Sequence, residues 1–286
     1  PEVETVMTGL KPAFEGHRFK PFATRRKDLR IPFPKGFARR LTGHRVVRMW
    51  RRAKYIMAEL DNGETLVIHL GMSGSMAVYT KGEDRKLGQF YYERAPDGAG
   101  RGKHDHVVFD TDAPARVVFN DHRRFGLMTL IDTDKIEEHK LFKAVGVEPL
   151  SDGLDAAFLA GVLKGKKTSI KAALLDQRLI AGLGNIYVCE ALWRAKVSPK
   201  RRASRVKPDE IATLVTAIKA VLREAIKAGG SSLRDHKRTD GELGYFQHHF
   251  AVYDRKNKLC HRKDGGVIKR IVQSGRSSFY CPVCQK

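Results

Sequence analysis

Residues 46–70 read VVRMWRRAKYIMAELDNGETLVIHL, and this stretch predicts β structure for the first half of the chain. Val46–Leu60 and Thr65–Leu70 are rich in valine, isoleucine and other residues that favour strands. Between them stands Asp61-Asn62-Gly63, a signal for a hairpin turn. The stretch therefore predicts β-strands joined by a tight turn.

The strand pattern extends outward from this hairpin, from Gly43 to about Leu130. His106–Asp110 and Arg116–Asn120 are further β-rich runs on either side of a short turn. Between the two hairpins, Lys81–Lys103 is rich in glycine and charged residues. That composition predicts a surface loop.

Helical periodicity occupies the rest of the chain. Apolar residues recur at helical spacing over residues 1–15, which predicts an N-terminal helix. After Pro149 the predicted helices are Leu154–Lys164, Ser169–Asp176, Ile186–Ala195 and Pro208–Ala228. The tail from Ser231 is basic and rich in turns. The sequence thus predicts an α+β protein with a β half, a helical half and a small tail module.

Net charge is the informative part of the composition. Lys and Arg number 54 and Asp and Glu 32, which gives +22 at pH 7. The excess lies at the two ends, with 15 basic against 5 acidic side chains in residues 1–60 and 22 against 8 in residues 194–286. Uneven basicity of this size predicts a polyanionic partner such as nucleic acid. The alternative is a cationic surface that only keeps the protein in solution.

Several classes of protein are excluded by composition. Four cysteines are too few for a disulfide scaffold, and the longest apolar runs fall far short of the ~20 residues that a membrane helix needs. No basic segment followed by an apolar stretch opens the chain. We therefore expect a soluble monomer of a reducing cytosol, with no membrane partner.

The cysteines near the end of the chain have metal-ligand spacing. Cys281 and Cys284 form a C-x-x-C pair, and Cys260 lies about twenty residues upstream across a predicted hairpin. Four ligands are needed to close a structural zinc site, so the fourth would be Asp264 or His261. The alternative is a metal-free hairpin that carries unused thiols.

Three loops are candidates for contact with nucleic acid. The glycines of Ala181–Asn185 would let backbone amides approach a phosphate, or they form a tight packing turn. Asp121–Phe125 and Leu70–Gly74 both lie where strands end. Met72 and Phe125 would suit apolar wedges that enter a duplex beside arginines, or else both belong to the core.

Two further groups allow more than one interpretation. Lys54 lies between strand residues and could pair with a carboxylate, extend to solvent or act as an acid near a phosphate. His104 and His106 share one strand face, where either a metal or DNA could bind them.

Together these motifs resemble the formamidopyrimidine-DNA glycosylase family. The resemblance runs from end to end and in order. It rests on Pro-Glu-Val-Glu-Thr at 1–5, Arg-Arg-Ala-Lys-Tyr at 51–55, His-Leu-Gly-Met-Ser-Gly at 69–74, Lys-His-Asp-His at 103–106, Arg-Arg-Phe-Gly at 123–126, Gly-Leu-Gly-Asn-Ile-Tyr at 182–187 and Gly-Arg-Ser-Ser-Phe-Tyr-Cys at 275–281.

The resemblance implies both a fold and a reaction. It implies an N-terminal helix and β-sandwich over residues 1–135, a helix–two-turn–helix domain over 150–235, and a loop with a zinc-finger hairpin over 236–286. Double-stranded DNA with oxidised or abasic sites would be the partner, and one structural Zn²⁺ the cofactor. The implied activity is excision of 8-oxoguanine and formamidopyrimidines, followed by β,δ-elimination through a Schiff base.

The resemblance also assigns roles to residues. Pro1 would be the nucleophile with Glu2 as its partner, Lys54 the acid of β-elimination and Arg276 that of δ-elimination. The DNA backbone would be contacted by His104, Arg123, Lys166 and Asn185. The space left by the extruded base would be filled by Met72, Arg123 and Phe125, and the loop Ser231–Gln247 would close over the extruded base. Zinc would be held by Cys260, Asp264, Cys281 and Cys284.

Two departures from the family pattern leave alternatives open. The family's usual opening has a further Pro-Glu pair three residues ahead of Pro-Glu-Val-Glu-Thr, so by motif Pro1 and Glu2 match the second pair. By the chemistry of the reaction, Pro1 would still be the N-terminal proline, but three residues out of register. A third alternative is that further residues precede Pro1 in the natural protein. Asp264 stands where the family has a cysteine, which predicts a Cys₃Asp site that holds zinc less firmly.

Two other functions remain as alternatives. A glycosylase of the endonuclease VIII type would remove oxidised pyrimidines instead. A lesion or abasic-site binding protein would keep the DNA contacts without the catalysis.

Overall fold

The computed structural model describes residues 1–22, 24–80, 85–87, 90–92, 99–231 and 245–286. The chain forms two compact units, one of residues 1–143 with 228–245 and one of residues 144–227 with 246–286. The predicted α+β class is confirmed, since both strands and helices are present. Within the described part of the chain, none of the helices combines the length and the apolar character that crossing a bilayer requires.

Across its described residues, the first unit contains two helices and nine strands. The helices are α1 (Glu2–Phe14) and α2 (Phe37–Leu41), with a 3₁₀ turn at Thr133–Lys135. The strands are β1 (Val46–Arg52), β2 (Tyr55–Leu60), β3 (Glu64–His69), β4 (Ser75–Thr80), β5 (Arg85–Leu87), β6 (Phe90–Tyr92), β7 (Asp105–Asp110), β8 (Ala115–Asn120) and β9 (Leu127–Asp132).

Two antiparallel sheets form the β part of this unit. One has the strand order β1-β2-β3-β9 and the other the order β4-β8-β7, while β5 pairs with β6. Alternating strand residues supply a shared core with the buried face of α1. Phe14, Phe19 and Phe109 meet at its centre, with ring centroids 5.1 to 5.6 Å apart. This core explains why residues 1–15 are helical, because α1 buries Leu10 and Phe14 completely.

The structure corrects one prediction for the first hairpin. Val46–Leu60 is not a single strand, because Ala53 and Lys54 form a two-residue turn between β1 and β2. Arg52 pairs directly with Tyr55 across it. Ala53 has a φ of 52°, which costs a non-glycine residue roughly 1–2 kcal/mol. Neither residue is a usual turn former, so no local pattern marks this turn.

A second correction concerns Lys81–Lys103. The sequence predicts a surface loop there, but Arg85–Leu87 and Phe90–Tyr92 are short strands that pair antiparallel. Residues 81–84, 88–89 and 93–98 lie outside the described part of the chain.

The second unit is mostly helical. Its helices are α3 (Ala156–Leu163), α4 (Ile170–Leu175), α5 (Asn185–Arg194) and α6 (Pro208–Lys227), with 3₁₀ turns at Ala203–Arg205 and Phe246–His249. Its strands are β10 (Lys269–Gln273) and β11 (Arg276–Tyr280), an antiparallel hairpin. The apolar stripe of α6 is buried, which confirms the clearest helix predicted from the sequence.

Candidate functional site

In the first unit, the Pro1 amine lies at the start of α1. The Pro1 carbonyl accepts the first helical hydrogen bond, from the Thr5 amide at 2.9 Å. The Pro1 nitrogen is 3.9 Å from Glu2 Oε2. Glu2 Oε1 accepts hydrogen bonds from the Ser231 amide at 3.0 Å and the Ser231 hydroxyl at 2.9 Å. Glu2 therefore lies between the Pro1 amine and Ser231, a residue that follows the end of α6.

The surroundings of Pro1 favour its neutral form. Burial lowers the pKa of the Pro1 amine from its ordinary value of 8.0, and the charges of Arg51 and Lys54 lower it further. Glu2 and Glu4 act in the opposite direction, but burial is the largest effect. A neutral secondary amine is a nucleophile, so this environment suits covalent chemistry.

Lys54 is presented by the tight turn between β1 and β2. It lies close enough to Pro1 for its charge to affect the amine. Arg52 and Tyr55 pair on either side of this turn, which limits where the Lys54 backbone can lie. The structure thus brings these two predicted residues together.

Two further loops of the first unit touch through their backbones. Gly71 has a φ of 71°, and a Cβ added there would lie 2.5 Å from the Phe125 carbonyl carbon. Only glycine fits this approach. His69 Nδ1 accepts a hydrogen bond from the Gly71 amide at 3.0 Å, and burial lowers the pKa of His69 to about 4, which keeps the ring neutral.

Asp121 connects the same two loops from inside the protein. It is completely buried. One carboxylate oxygen accepts from the Ser73 hydroxyl at 2.5 Å and from the Arg123 amide at 3.3 Å. The other accepts from the Gly126 amide at 2.8 Å. One buried carboxylate therefore fixes both loops.

These loops carry exposed apolar side chains. Met72 is 57% exposed and Phe125 is 44% exposed, so the alternative that placed both in the core is wrong. The Arg123 guanidinium lies 4.7 Å from the centre of the Phe125 ring. An exposed pair of apolar side chains beside an arginine has the chemistry of a wedge for stacked bases.

The histidines near this surface do not form a metal site. His106 is buried, and its Nε2 lies 2.8 Å from the Asp121 carbonyl oxygen. The ring of His104 is 6.2 Å from that of the exposed His122. Among the described residues, metal-ligand spacing is found only in the cysteine cluster of the second unit. The metal interpretation of His104 and His106 therefore has no support.

In the second unit, the glycine loop before α5 is held by side chains. Gln177 Oε1 accepts from the Gly182 amide at 2.8 Å, and Gln177 Nε2 donates to the Leu183 carbonyl at 3.1 Å. Asn185 Nδ2 donates to the Ser277 carbonyl at 2.9 Å. Asn185 Oδ1 is buried without a hydrogen-bond partner among the described residues. The last residue of this loop therefore contacts the hairpin of β10 and β11.

Arg276 stands at the exposed end of that hairpin. Ser274 and Gly275 form its turn with φ values of 49° and 71°, as a tight hairpin turn requires. The buried Lys171 donates to the Ser277 carbonyl at 2.8 Å and contacts Ser278 Oγ at 2.6 Å. Burial lowers the pKa of Lys171. These bonds fix the strand that presents Arg276.

Lys166 is the remaining predicted DNA contact of the second unit. It lies half-buried in the turn that follows α3, where its amide donates to the Leu163 carbonyl at 3.1 Å. Of the predicted loop Ser231–Gln247, residues 232–244 lie outside the described part of the chain.

Four residues converge in the finger as a candidate metal centre. The ligand atoms of Cys260, Asp264, Cys281 and Cys284 lie within 4.8 Å of one another. Two sulfurs, those of Cys260 and Cys284, are 3.9 Å apart, and Cys281 Sγ is 3.5 Å from Asp264 Oδ2. A tetrahedral zinc ion would place two sulfurs ~3.8 Å apart and a sulfur and an oxygen ~3.5 Å apart. The four residues fit one structural zinc ion.

The surroundings select Asp264 over His261 as the fourth ligand. Asp264 Oδ1 accepts from the Gly266 amide at 2.8 Å, which directs the carboxylate toward the sulfurs. His261 Nε2 instead contacts Arg255. Burial and the neighbouring Asp264 raise the pKa of the Cys284 thiol. A divalent cation would reverse that effect.

Several residues of the site carry no sequence signal. Asp121 precedes a recognisable motif, but nothing local shows that it joins two loops. Glu190 looks like an ordinary helix residue, yet it is buried and accepts hydrogen bonds from the amides of Ala251, Val252 and Tyr253 at 2.8 to 3.0 Å. These roles come from partners that are distant in the chain.

Comparison with known proteins identifies the family. Residues 1–128 match the model of the formamidopyrimidine-DNA glycosylase N-terminal domain, and residues 145–237 match that of the formamidopyrimidine-DNA glycosylase H2TH domain. Residues 265–286 match a zinc finger found in FPG and IleRS. The architecture implied by the resemblance, with sandwich, helical domain and zinc-finger hairpin, is confirmed.

Individual relatives agree with the family models. A formamidopyrimidine-DNA glycosylase of Rhodopseudomonas palustris strain BisA53 is 56% identical over 293 residues, which cover 100% of this chain and 99% of that protein. One from Jannaschia sp. strain CCS1 is 55% identical, with 100% and 99% covered. The chain belongs to the formamidopyrimidine-DNA glycosylase family.

Solved structures of the family resemble this one closely. The complex between Lactococcus lactis Fpg and DNA that contains an abasic site has a TM-score of 0.84 at 32% identity, covering 100% of this chain and 98% of the other. The MutM (Fpg) protein of Thermus thermophilus has a TM-score of 0.82 at 32% identity, with 100% and 97% covered.

Proposed function

We propose that the protein is a base-excision-repair DNA glycosylase for oxidised purines that also cleaves the strand at the abasic site. The observation that carries the proposal is the buried Pro1 amine, whose pKa is lowered and which has Lys54 near it. Membership of the family supplies the reaction class. The substrate would be chromosomal DNA, and the site of action the bacterial cytosol.

The reaction begins at the sugar of the damaged nucleotide. The neutral Pro1 nitrogen attacks C1′, the bond from C1′ to the base breaks, and the departing base takes the proton that the Pro1 nitrogen loses. The bond from C1′ to the ring oxygen then breaks, the ring oxygen takes a proton from solvent, and an iminium ion forms between Pro1 and C1′. That positive charge acidifies the C2′ proton. Its removal expels the 3′ phosphate in β-elimination, and a second elimination expels the 5′ phosphate.

Two cations assist the eliminations in this proposal. Lys54 acts as the acid of β-elimination, and its place near Pro1 supports that role. Arg276 acts in δ-elimination from the exposed end of the finger hairpin. Glu2 serves as the partner of Pro1, which agrees with the 3.9 Å between its carboxylate and the amine.

The charge of the chain supports the proposed DNA contacts. A net charge of +22 favours binding to phosphates through release of counterions. His104, Arg123, Lys166 and Asn185 are the proposed backbone contacts. Met72 and Phe125, both exposed, fill the space that the extruded base leaves, together with Arg123.

Zinc has a structural part in this proposal. Cys260, Asp264, Cys281 and Cys284 would hold it, and the ion would stabilise a hairpin too small to have a large core. The hairpin in turn presents Arg276. No chemical step passes through the metal.

A second substrate class has one observation in its favour. Lactococcus lactis Fpg, with a TM-score of 0.84, has been solved with DNA that contains an oxidised pyrimidine. Excision from 8-oxoguanine and thymine-glycol duplexes, measured side by side, decides between the two classes. A higher kcat/KM on thymine glycol would overturn the preference for purines.

The main experiment is borohydride trapping on an abasic-site duplex. The N-terminus of the purified protein is first read by mass spectrometry. The proposal expects a covalent adduct that maps to Pro1. It expects no adduct with Pro1→Gly once the N-terminal amine of that glycine has been acetylated. Tight, salt-sensitive binding without any adduct would instead identify a protein that only recognises damage.

A further inference from the structure

We propose that Arg51 and Glu4 form a brace that positions Lys54 for proton transfer. This positioning role rests on the proposed lyase function, in which Lys54 is the acid. The brace consists of two hydrogen bonds from one guanidinium. Arg51 Nε donates to Glu4 Oε2 at 2.6 Å, and Arg51 Nη1 donates to the Ala53 carbonyl at 2.8 Å.

The second bond acts directly on the turn that presents Lys54. The Ala53 carbonyl belongs to the peptide group that connects Ala53 to Lys54. A hydrogen bond to this oxygen therefore fixes the orientation of the peptide plane at which Lys54 begins. Arg51 thus controls the direction in which the Lys54 backbone leaves the turn.

The turn needs such support because its backbone is strained. Ala53 has a φ of 52°, and its side chain is buried. A left-handed conformation is unfavourable for a residue with a Cβ, so it persists only where surrounding bonds enforce it. The bond from Arg51 is one that does so.

The first bond connects the turn to the other proposed reacting group. Glu4 lies in the first turn of α1, which begins directly after Pro1. The guanidinium therefore spans from the helix of the proposed nucleophile to the turn of the proposed acid. Lysine could not replace it, because an ammonium lacks the fixed fork that serves two acceptors at once.

A nearby ion pair provides a contrast on the same strand. Arg48 pairs with Glu59 across β1 and β2, but the Arg48 side chain is 64% exposed. The Arg51 side chain is only 17% exposed, and that of Glu4 28%. Shielding from water makes the geometry of the Arg51 pair better defined than that of a surface pair.

The test compares Arg51→Lys and Glu4→Gln with the matched control Arg48→Lys. Each variant is measured for the single-turnover rate of strand cleavage on a preformed abasic-site duplex, for the Kd of that duplex and for Tm. We expect Arg51→Lys to lower the cleavage rate ~10–100-fold, since a shift of about 1 Å in a reacting group costs that much. The Kd should stay near that of the control, which itself should cleave like the wild type, and Tm sets a temperature at which every variant is folded when the rates are compared.

A rescue variant separates positioning through the turn from any other effect of Arg51→Lys. Glycine accepts a left-handed backbone without strain. Adding Ala53→Gly to Arg51→Lys should therefore restore most of the lost rate, because the turn no longer depends on the brace. Failure of this rescue, with the fold intact, would overturn the proposal, because the lost rate would then not arise from the turn.

Failure of the inference and failure of the proposed function give different results. If the wild type neither forms a trapped adduct nor cleaves the duplex, the lyase function fails and the brace has no acid to position. If the wild type cleaves and Arg51→Lys cleaves as fast as Arg48→Lys, the inference alone is overturned.

Discussion

Replacing Asp121 with asparagine should loosen the two loops that carry the proposed base-stacking wedge. The Asp121 carboxylate is completely buried. Its two oxygens together accept three hydrogen bonds, from the Ser73 hydroxyl and from the amides of Arg123 and Gly126. Asparagine has almost the same shape but only one acceptor oxygen.

The cost follows from counting donors and acceptors. If the asparagine oxygen stays beside Ser73 and Arg123, its NH₂ group faces the Gly126 amide, and two donors meet. Losing a hydrogen bond to a charged acceptor costs about 1.5–3 kcal/mol, and an unpaired buried amide costs a further 1–3 kcal/mol. We expect Asp121→Asn to lower the free energy of unfolding by about 3–5 kcal/mol.

Urea unfolding and excision of 8-oxoguanine from a duplex measure this prediction. The matched control is Asp112→Asn. The Asp112 carboxylate also accepts a hydrogen bond from a backbone amide, that of Arg18, but its side chain is 50% exposed. Water can replace what the control loses, so it should stay within about 1 kcal/mol of the wild type. Asp121→Asn should also excise the base more slowly at a temperature where it remains folded.

The reasoning would be refuted if the two variants unfolded at the same urea concentration. It would also be refuted if Asp121→Asn were destabilised as expected and yet excised 8-oxoguanine at the wild-type rate. In that case the position of Met72 and Phe125 would not matter for excision.

Three further predictions concern other parts of the molecule. Glu190→Ala leaves three backbone amides without an acceptor, those of the buried Ala251 and Val252 and of the half-buried Tyr253. Urea unfolding should therefore show a loss of about 3–5 kcal/mol, and a loss below about 1 kcal/mol would contradict this. His69 has a pKa lowered to about 4 by burial, so the unfolded chain takes up a proton first as the pH falls from 6.5 to 4. The free energy of unfolding should therefore decrease by about 3 kcal/mol more in the wild type than in His69→Gln over this range, whereas parallel pH curves would exclude the effect. Asp264→Ala should retain well under one zinc ion per chain after dialysis against a mild chelator. The control Asp254→Asn changes an exposed carboxylate and should retain as much zinc as the wild type. Equal zinc content in the two variants would show that Asp264 is not a ligand.

Much of the fold was predictable because its signals are local. The apolar stripe of α6 and the Asn62-Gly63 turn are properties of neighbouring residues, and the structure has a helix and a hairpin there. The turn at Ala53 and Lys54 was not predictable. Its conformation is enforced by Arg51 and by the pairing of β1 with β2.

The candidate metal site was also predictable only in part. The spacing of Cys281 and Cys284 already indicated a metal site from the sequence, whereas the choice between Asp264 and His261 needed the structure. A metal site closes through the directions of side chains, and the Gly266 amide and Arg255 set those directions.

By itself, the sequence determined the family, the main helices, the hairpin at Asn62-Gly63, and a basic chain suited to DNA. These follow from residue types at short spacings, where each residue carries its own preference. Tertiary structure alone decided that Met72 and Phe125 are exposed, that Asp121 joins their loops, and that burial favours the neutral Pro1 amine. Burial and hydrogen bonding between distant residues exist only once the chain has folded, so no local pattern can encode them.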